Sequence, residues 1–272
     1  MEKMKAGVTG FMPKDVDYLE QLQKYAKLGY SYYENARYAF TQPDPKAVID
    51  RVHDMGLKYL ALGTTVHKGA YPDVKELVRQ ARIADVHMVG MYHSGATFWR
   101  FADRPDLPEY DEAMLEIENM EKLAVELGKE GIDFFFHNHD QEFRTTYNGV
   151  PLFWMIAAKA EHVKFEVDLG WVHYAGWDPA QLIRQLGDRV VILHVKDYTR
   201  GENCENKPTG KVIVPRYTTP GTGLVDLEAC FHAGVDAGVK YAVIEQDMLY
   251  HLSTEESVRT AYAIMKETGY VE

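Results

Sequence analysis

In the stretch FFFHNHDQEF the aromatic run Phe134–Phe136 gives way to His137, Asn138, His139 and Glu142. Imidazole and carboxylate groups are the side chains of divalent-cation binding and of proton transfer near neutral pH. The same change from apolar to ionisable recurs downstream. Asp168 ends VKFEVDL, His194, Lys196 and Asp197 end VVILHVKD, and Glu245 and Asp247 end YAVIEQD. Each residue alone has an ordinary explanation. A histidine at the end of an apolar run commonly caps it, an aspartate before glycine makes a turn, and Lys196 beside Asp197 forms a neighbouring ion pair. Their conjunction on consecutive segments is what points to a shared cation. Glu142, Asp168, His194 and Glu245 supply three carboxylates and one imidazole, with His137 as the alternative at the first position. Such an oxygen-rich set suits Mn2+ or Mg2+ better than a thiolate-loving metal, although Co2+ or Zn2+ could occupy it.

Those residues need a scaffold that brings distant segments to one place. Short apolar runs lie at 5–11, 30–36, 58–64, 87–93, 133–139, 163–169, 190–197 and 241–247. Several are apolar on both parities, the pattern of strands buried on both faces. Amphipathic stretches fill the gaps. DYLEQLQKYAKLG carries Tyr18, Leu19, Leu22, Tyr25 and Ala26 on one stripe and stops at Gly29. DPAQLIRQLG opens with Asp178 as cap and Pro179 in its first turn, and Ser253 with Glu256 forms a capping box before the last helix. A helical pattern also covers 110–130. Strands alternating with helices imply parallel pairing, and this number of units predicts an α/β fold, a closed (β/α)8 TIM barrel occupying residues 1–272 as one domain. An open doubly wound sheet is the rival, but no G-x-G-x-x-G turn follows the first strand. In a barrel the ionisable strand ends share one mouth, at the carboxyl ends of the strands.

Composition narrows the partners. The chain has 272 residues, 46% of them hydrophobic, enough for a full core, and a formal net charge of −11. Such a surface repels phosphate backbones and argues against nucleic acid as a partner. No apolar run approaches the about 20 residues of a membrane span. The N-terminal MEKMKAGVTGFMPK lacks a signal-peptide pattern, and the only cysteines are Cys204 and Cys230. The expectation is a soluble, cytoplasmic protein without disulfides. Residues 198–225 read as a long loop, suited to a lid over the mouth or to a contact with another subunit, identical or different.

Through HNHDQEF, EVDLGW, LHVKDYTR, PGTGLVD and VIEQD the chain resembles the xylose isomerase-like barrel superfamily, in its sugar (phosphate) isomerase/epimerase branch. The resemblance runs through essentially the whole chain in strand order. It implies a divalent metal held by Glu, Asp, His and Glu, with the outer glutamates, here Glu142 and Glu245, shuttling protons. Many epimerases of that branch carry the first glutamate where His137 stands. Relatives with the HNHxxEF pattern resemble keto-sugar and cyclitol enzymes, dehydratases and glycoside-cleaving lyases among them.

The expected substrate is therefore a small sugar, keto-sugar or cyclitol. Its hydroxyl and carbonyl would chelate the metal while His139 or Glu245 removes the adjacent proton, giving an enediolate. Returning the proton isomerises or epimerises. Losing a β-substituent instead gives dehydration or lyase chemistry on a 3-keto-sugar. His137, Asn138, Lys196 and Arg200 offer polar contacts to such a substrate, and Trp171 or Trp99 a flat face for its C–H groups. Glu34 and His93 add further hydroxyl contacts. A DNA endonuclease of the same superfamily would need a basic face, and a non-catalytic subunit would need no metal.

Overall fold

Eight strands alternate with helices along the chain: β1 (Lys5–Val8), β2 (Tyr32–Asn35), β3 (Lys58–Thr64), β4 (Met88–Met91), β5 (Asp133–His137), β6 (Lys164–Asp168), β7 (Val190–Val195) and β8 (Tyr241–Ile244). The structure is a computed structural model and describes residues 2–12, 16–66, 71–92, 109–205 and 213–272. Neighbouring strands pair in parallel in chain order, and β8 closes on β1 with Lys5 opposite Tyr241 and Val8 opposite Ile244. The expected barrel is therefore present. Helices α1 (Tyr18–Leu28), α2 (Pro45–Asp54), α3 (Val74–Ala84), α4 (Tyr110–Gly128), α5 (Leu152–Lys159), α6 (Pro179–Leu186), α7 (Leu227–Asp236) and α8 (Thr254–Glu267) follow the strands in turn.

Local chemistry sets the helix ends. The Asp17 carboxylate accepts from the N–H groups of Leu19 and Glu20, and α1 stops at Gly29, whose φ of 108° suits glycine. Asp178 caps α6 through the N–H of Gln181, and the Ser253–Glu256 capping box opens α8.

Alternation along the strands sorts side chains into two cores. Phe134, Phe136, Phe165, Val167, Leu193 and Val195 face the helices. Ala61, Phe135, Ile192 and Val243 belong to a separate buried cluster inside the barrel, and Phe135 is its largest member. The wall opposite Phe135 has no room for a side chain. A Cβ placed on Gly90 would lie 2.3 Å from the Phe135 ring. This plug is the floor on which the ionisable residues of β5 to β8 stand.

One departure from expectation concerns a loop. Residues 198–225 are not an irregular loop, because Asp197–Glu205 and Ile213–Thr218 pair as an antiparallel hairpin with Tyr198 opposite Tyr217. A second small hairpin, Thr146–Tyr147 with Val150–Pro151, turns through Asn148 and Gly149 at φ of 51° and 81°. The Asn-Gly pair is the signature of such a turn. Among the described residues no helix is long and apolar enough to cross a membrane.

The close packing of Phe135 on Gly90 predicts the effect of adding a side chain there. Gly90→Ala should destabilise the fold by about 1–3 kcal/mol through overpacking, as read by urea unfolding. Adding Phe135→Leu should restore part of the loss, and equal stability of Gly90→Ala and the native protein would refute this packing.

Candidate metal centre and active site

The two-residue period that sends Phe135 inward also sends His137 inward, one pleat nearer the carboxyl end of β5. In the same way β6 presents Glu166 and Asp168, β7 presents His194, and Glu245 follows the end of β8. His137, Asp168 and His194 each offer one ligand atom, all within 4.8 Å of one another, and all three residues are buried. His194 Nδ1 lies 3.3 Å from Asp168 Oδ2 and 3.8 Å from Glu245 Oε2. His137 Nε2 lies 3.8 Å from the same Asp168 oxygen.

Asp168 divides its carboxylate between two tasks. Oδ1 accepts from the N–H of Trp171 at 2.8 Å and caps the short helix Leu169–Tyr174. Oδ2 is buried and has no hydrogen-bond partner, and neither nitrogen of His194 has one. Buried polar atoms without partners are costly, and here they converge on one point between the side chains. Burial alone would lower the His194 pKa, but the charges of Glu245, Glu34 and Asp168 override it and raise it to about 9. A field that holds a proton on a buried imidazole also attracts a divalent cation. The donor set thus fits such an ion.

Lys196 supplies positive charge at the same place. Its Nζ sits 2.6 Å from Glu245 Oε2, 2.8 Å from Asp247 Oδ2 and 3.4 Å from Asp168 Oδ2, over the rings of Trp171 and Tyr217. Burial works against its charge, but Asp247, Glu245 and Asp168 raise its pKa well above the usual lysine value. Glu245 responds in kind. Burial would raise its pKa, but Lys196 and His194 bring it below the usual glutamate value, so it is an ionised carboxylate. The expected Lys196–Asp197 ion pair does not form. Asp197 turns away and accepts from the backbone N–H groups of Tyr198, Gly221, Gly223, Leu224 and Val225, fixing the PGTGLV segment. A Cβ on Gly223 would lie 2.3 Å from Asp197 Oδ1.

Other expected residues fall into four groups. His139 reaches the cavity at the mouth, its ring 4.9 Å from that of His137 and 5.6 Å from that of Trp171. Asn138 is fully buried and its Oδ1 accepts from the N–H of Asp168 at 3.1 Å, so it joins the end of β5 to that of β6. Trp171 is buried in a small cluster with Val214 and Tyr217, under the Lys196 ammonium. Glu142 does not join either group of side chains placed to hold a metal ion. It is buried, and its Oε2 accepts from the backbone N–H of His139 at 2.6 Å, which folds the loop after β5 back on itself. His137 occupies the place beside Asp168 and His194 instead. Arg200 is exposed on the hairpin. His93, Trp99 and the side chain of Cys204 lie outside the described residues.

A cavity of about 330 Å3 opens over this cluster, bounded by His137, His139, His194 and Glu245 on one side and by Thr9, Asn35, Arg37 and Thr64 on the other. That volume and polar lining suit a small hydroxylated molecule. Sequence reasoning missed Glu166, which lies beneath the cluster. Its Oε2 is 3.0 Å from His137 Nδ1. Burial and the adjacent Glu34 carboxyl raise the Glu166 pKa well above the ordinary carboxylate range. The signal was present in FEVD, where the strand period that points Asp168 inward points Glu166 inward too. Tyr92, whose hydroxyl is buried without a partner, was missed as well.

Comparison with known proteins agrees with the fold. A family model described as xylose isomerase-like TIM barrel matches residues 22–267. No curated protein matches the sequence. Among solved structures, a sugar phosphate isomerase/epimerase from Parabacteroides distasonis ATCC 8503 superposes with a TM-score of 0.71 at 17% identity, covering 99% of this chain and 100% of that one. The probable 3-DHS dehydratase AsbF from Bacillus anthracis superposes with a TM-score of 0.74 at 11% identity, over 97% and 99% of the two chains. The IOLI protein, in a structure with a bound zinc atom, gives a TM-score of 0.72 at 18% identity, over 98% and 99%.

The environment of Glu142 predicts an unusual pH dependence. Burial raises its pKa to about 8, from an ordinary carboxylate value near 4.5. The folded state therefore holds a proton that the unfolded chain releases. The stability this contributes is complete below about pH 4.5 and is lost as pH rises towards 8, at up to about 1.4 kcal/mol per pH unit. Glu142→Gln cannot lose that proton and should gain stability relative to the native protein between pH 5 and 8. Parallel urea-unfolding curves at each pH test this, and a pH-independent difference would refute it.

Proposed function

Because the chain belongs to the xylose isomerase-like TIM barrel family, we propose that it is a divalent-metal-dependent isomerase or epimerase of a keto-sugar or cyclitol. The observation that carries this reading is the convergence of His137, Asp168 and His194 beside Glu245 at the mouth of a cavity of monosaccharide size. These four side chains would hold the metal. Two imidazoles and two carboxylates suit Mn2+, with Co2+ or Zn2+ as competitors, and suit Mg2+ less.

A cation held there would withdraw charge from a substrate carbonyl and hydroxyl and so acidify the neighbouring C–H bond. The protein's own groups do the rest. Glu245, kept ionised by Lys196, stands ready to accept a proton. His139 reaches the same cavity from β5, separated from Glu245 by β6 and β7, and can carry a proton to or from another side of the substrate. Transfer between neighbouring carbons isomerises, and return to the opposite face of one carbon epimerises. The Lys196 ammonium and the Arg37 guanidinium offer hydrogen bonds to hydroxyl oxygens.

The alternative keeps the same proton removal and ends differently. Departure of a β-hydroxyl or a glycosidic oxygen makes the protein a dehydratase or a glycoside-cleaving lyase on a 3-keto-sugar. The fold likeness to a probable dehydratase keeps this reading in view.

Incubation of the Mn2+-loaded protein with a panel of keto-sugars and inososes in heavy water, followed by 1H NMR, tests the proposal. Deuterium should enter the carbon skeleton without loss of a group. A chelator should stop the exchange and Mn2+ restore it, while Glu245→Gln should slow it about 100- to 10,000-fold. Release of water or an aglycone assigns the lyase reading. Exchange that survives metal removal refutes both.

A further inference from the structure

Below the metal-facing side chains lies a second polar layer. Glu34 and Glu166 are 2% and 0% exposed, and an oxygen of each lies within 4.8 Å of the other. Glu166 contacts His137 at Nδ1, 3.0 Å away, while Nε2 of the same ring faces Asp168. Glu34 and Glu166 each also have an oxygen within 4.8 Å of a ring nitrogen of His194. One oxygen of each carboxyl is otherwise without a hydrogen-bond partner. Glu166 thus stands behind the His137 ring, away from the cavity, while Glu34 beside it reaches the cavity wall.

An imidazole that donates a lone pair to a cation through one nitrogen carries its proton on the other, and that N–H needs an acceptor. We propose that Glu166, held in place by Glu34, is a positioning residue: its Oε2 accepts from His137 Nδ1–H and so fixes the tautomer whose Nε2 lone pair faces Asp168 and His194. The proposal rests on the reading of His137 as a metal ligand. It explains why an acid is buried in the barrel lumen on the same strand face as Asp168. It also explains how an imidazole can stand at a position where neighbouring carboxylates already crowd the mouth.

Binding of Co2+ and of Mn2+ to the metal-free protein, measured by competition with a chelating dye, tests this without any substrate. Glu166→Leu removes the acceptor and should weaken binding about 10- to 100-fold. Glu166→Gln retains an acceptor oxygen for His137 and an N–H for Glu34, and should stay within about threefold of the native protein. Because Glu166 acts through His137, Glu166→Leu should cost nothing further in a His137→Ala background. In 15N-histidine spectra of the Zn2+-loaded protein, the resonance lost in His137→Ala should show the proton on Nδ1.

Equal losses from Glu166→Leu in both backgrounds would overturn the proposal, as would a His137 proton on Nε2. Two tightly bound ions per chain would overturn it differently, by making Glu34 and Glu166 ligands of a second site. If the native protein binds no divalent cation, the proposed function fails. The tautomer in spectra of the metal-free protein then decides the positioning role alone. Circular dichroism and melting of each variant in chelator separate a lost ligand shell from a lost fold.

Discussion

Negative charge gathered in a closed space is the constraint on which this structure turns. Asp168, Glu245 and Asp247 share the ammonium of Lys196, and Glu34 and Glu166 press together just below them. At an effective dielectric of about 20, two carboxylates some 4 Å apart repel by about 4 kcal/mol. The cluster persists because each acid is answered by a cation, a proton or a backbone donor. Lys196 and protonated His194 answer Glu245 and Asp168, burial and the neighbouring carboxyls favour the protonated form of Glu166, and the N–H of Trp171 takes the second oxygen of Asp168. The arrangement is a cation trap, and the barrel supplies its rigidity. Phe135 fills the lumen beneath it, and Gly90 leaves the space for that ring.

How far this was legible depends on which physical signal carried each part. The strands were readable because burial on both faces makes their apolar runs nearly continuous, and the closed topology followed from their regular alternation with helices. All but one of the runs extend one to three residues past the paired strand, since polar strand ends leave the ladder before their apolar flanks suggest it. Asp168, His194 and Glu245 were readable because each stands where a buried strand stops. Glu166 was not recognised, although the two-residue period places it on the face of Asp168. An acid inside an apolar run was read as part of the strand and not as part of its chemistry. The hairpin 197–218 was obscured for another reason. Its antiparallel pairing depends on Tyr198 meeting Tyr217 across an intervening turn, a contact between residues far apart in sequence.

Glu142 shows why a cluster of chemically able residues need not act together. In HNHDQE only His137 and His139 reach the cavity. Asn138 ties β5 to β6, Asp140 pairs with Arg144, and Glu142 accepts from the N–H of His139. The motif therefore encodes two ligating or proton-carrying rings together with the brace that holds them. Asp197 divides LHVKD in the same way. His194 and Lys196 face the mouth, whereas Asp197 gathers five backbone donors and shapes the segment that leads to α7. Strand parity explains the division, because alternate residues point to opposite sides of the barrel wall.

The same parity bears on the imidazole at position 137. A glutamate there would set a further carboxylate beside Asp168, directly above Glu166, in a layer whose only described buried cations are Lys196 and His194. The added repulsion would have to be met by another proton or by tighter metal binding. With histidine, the acid is moved one pleat deeper, to Glu166, where burial favours its protonated form and the imidazole ring lies between it and the mouth. The site keeps an anionic partner behind the ring and gains a nitrogen donor in front of it. This exchange of depth for charge links the departure at position 137 to the burial of Glu166, and makes the two residues one structural decision.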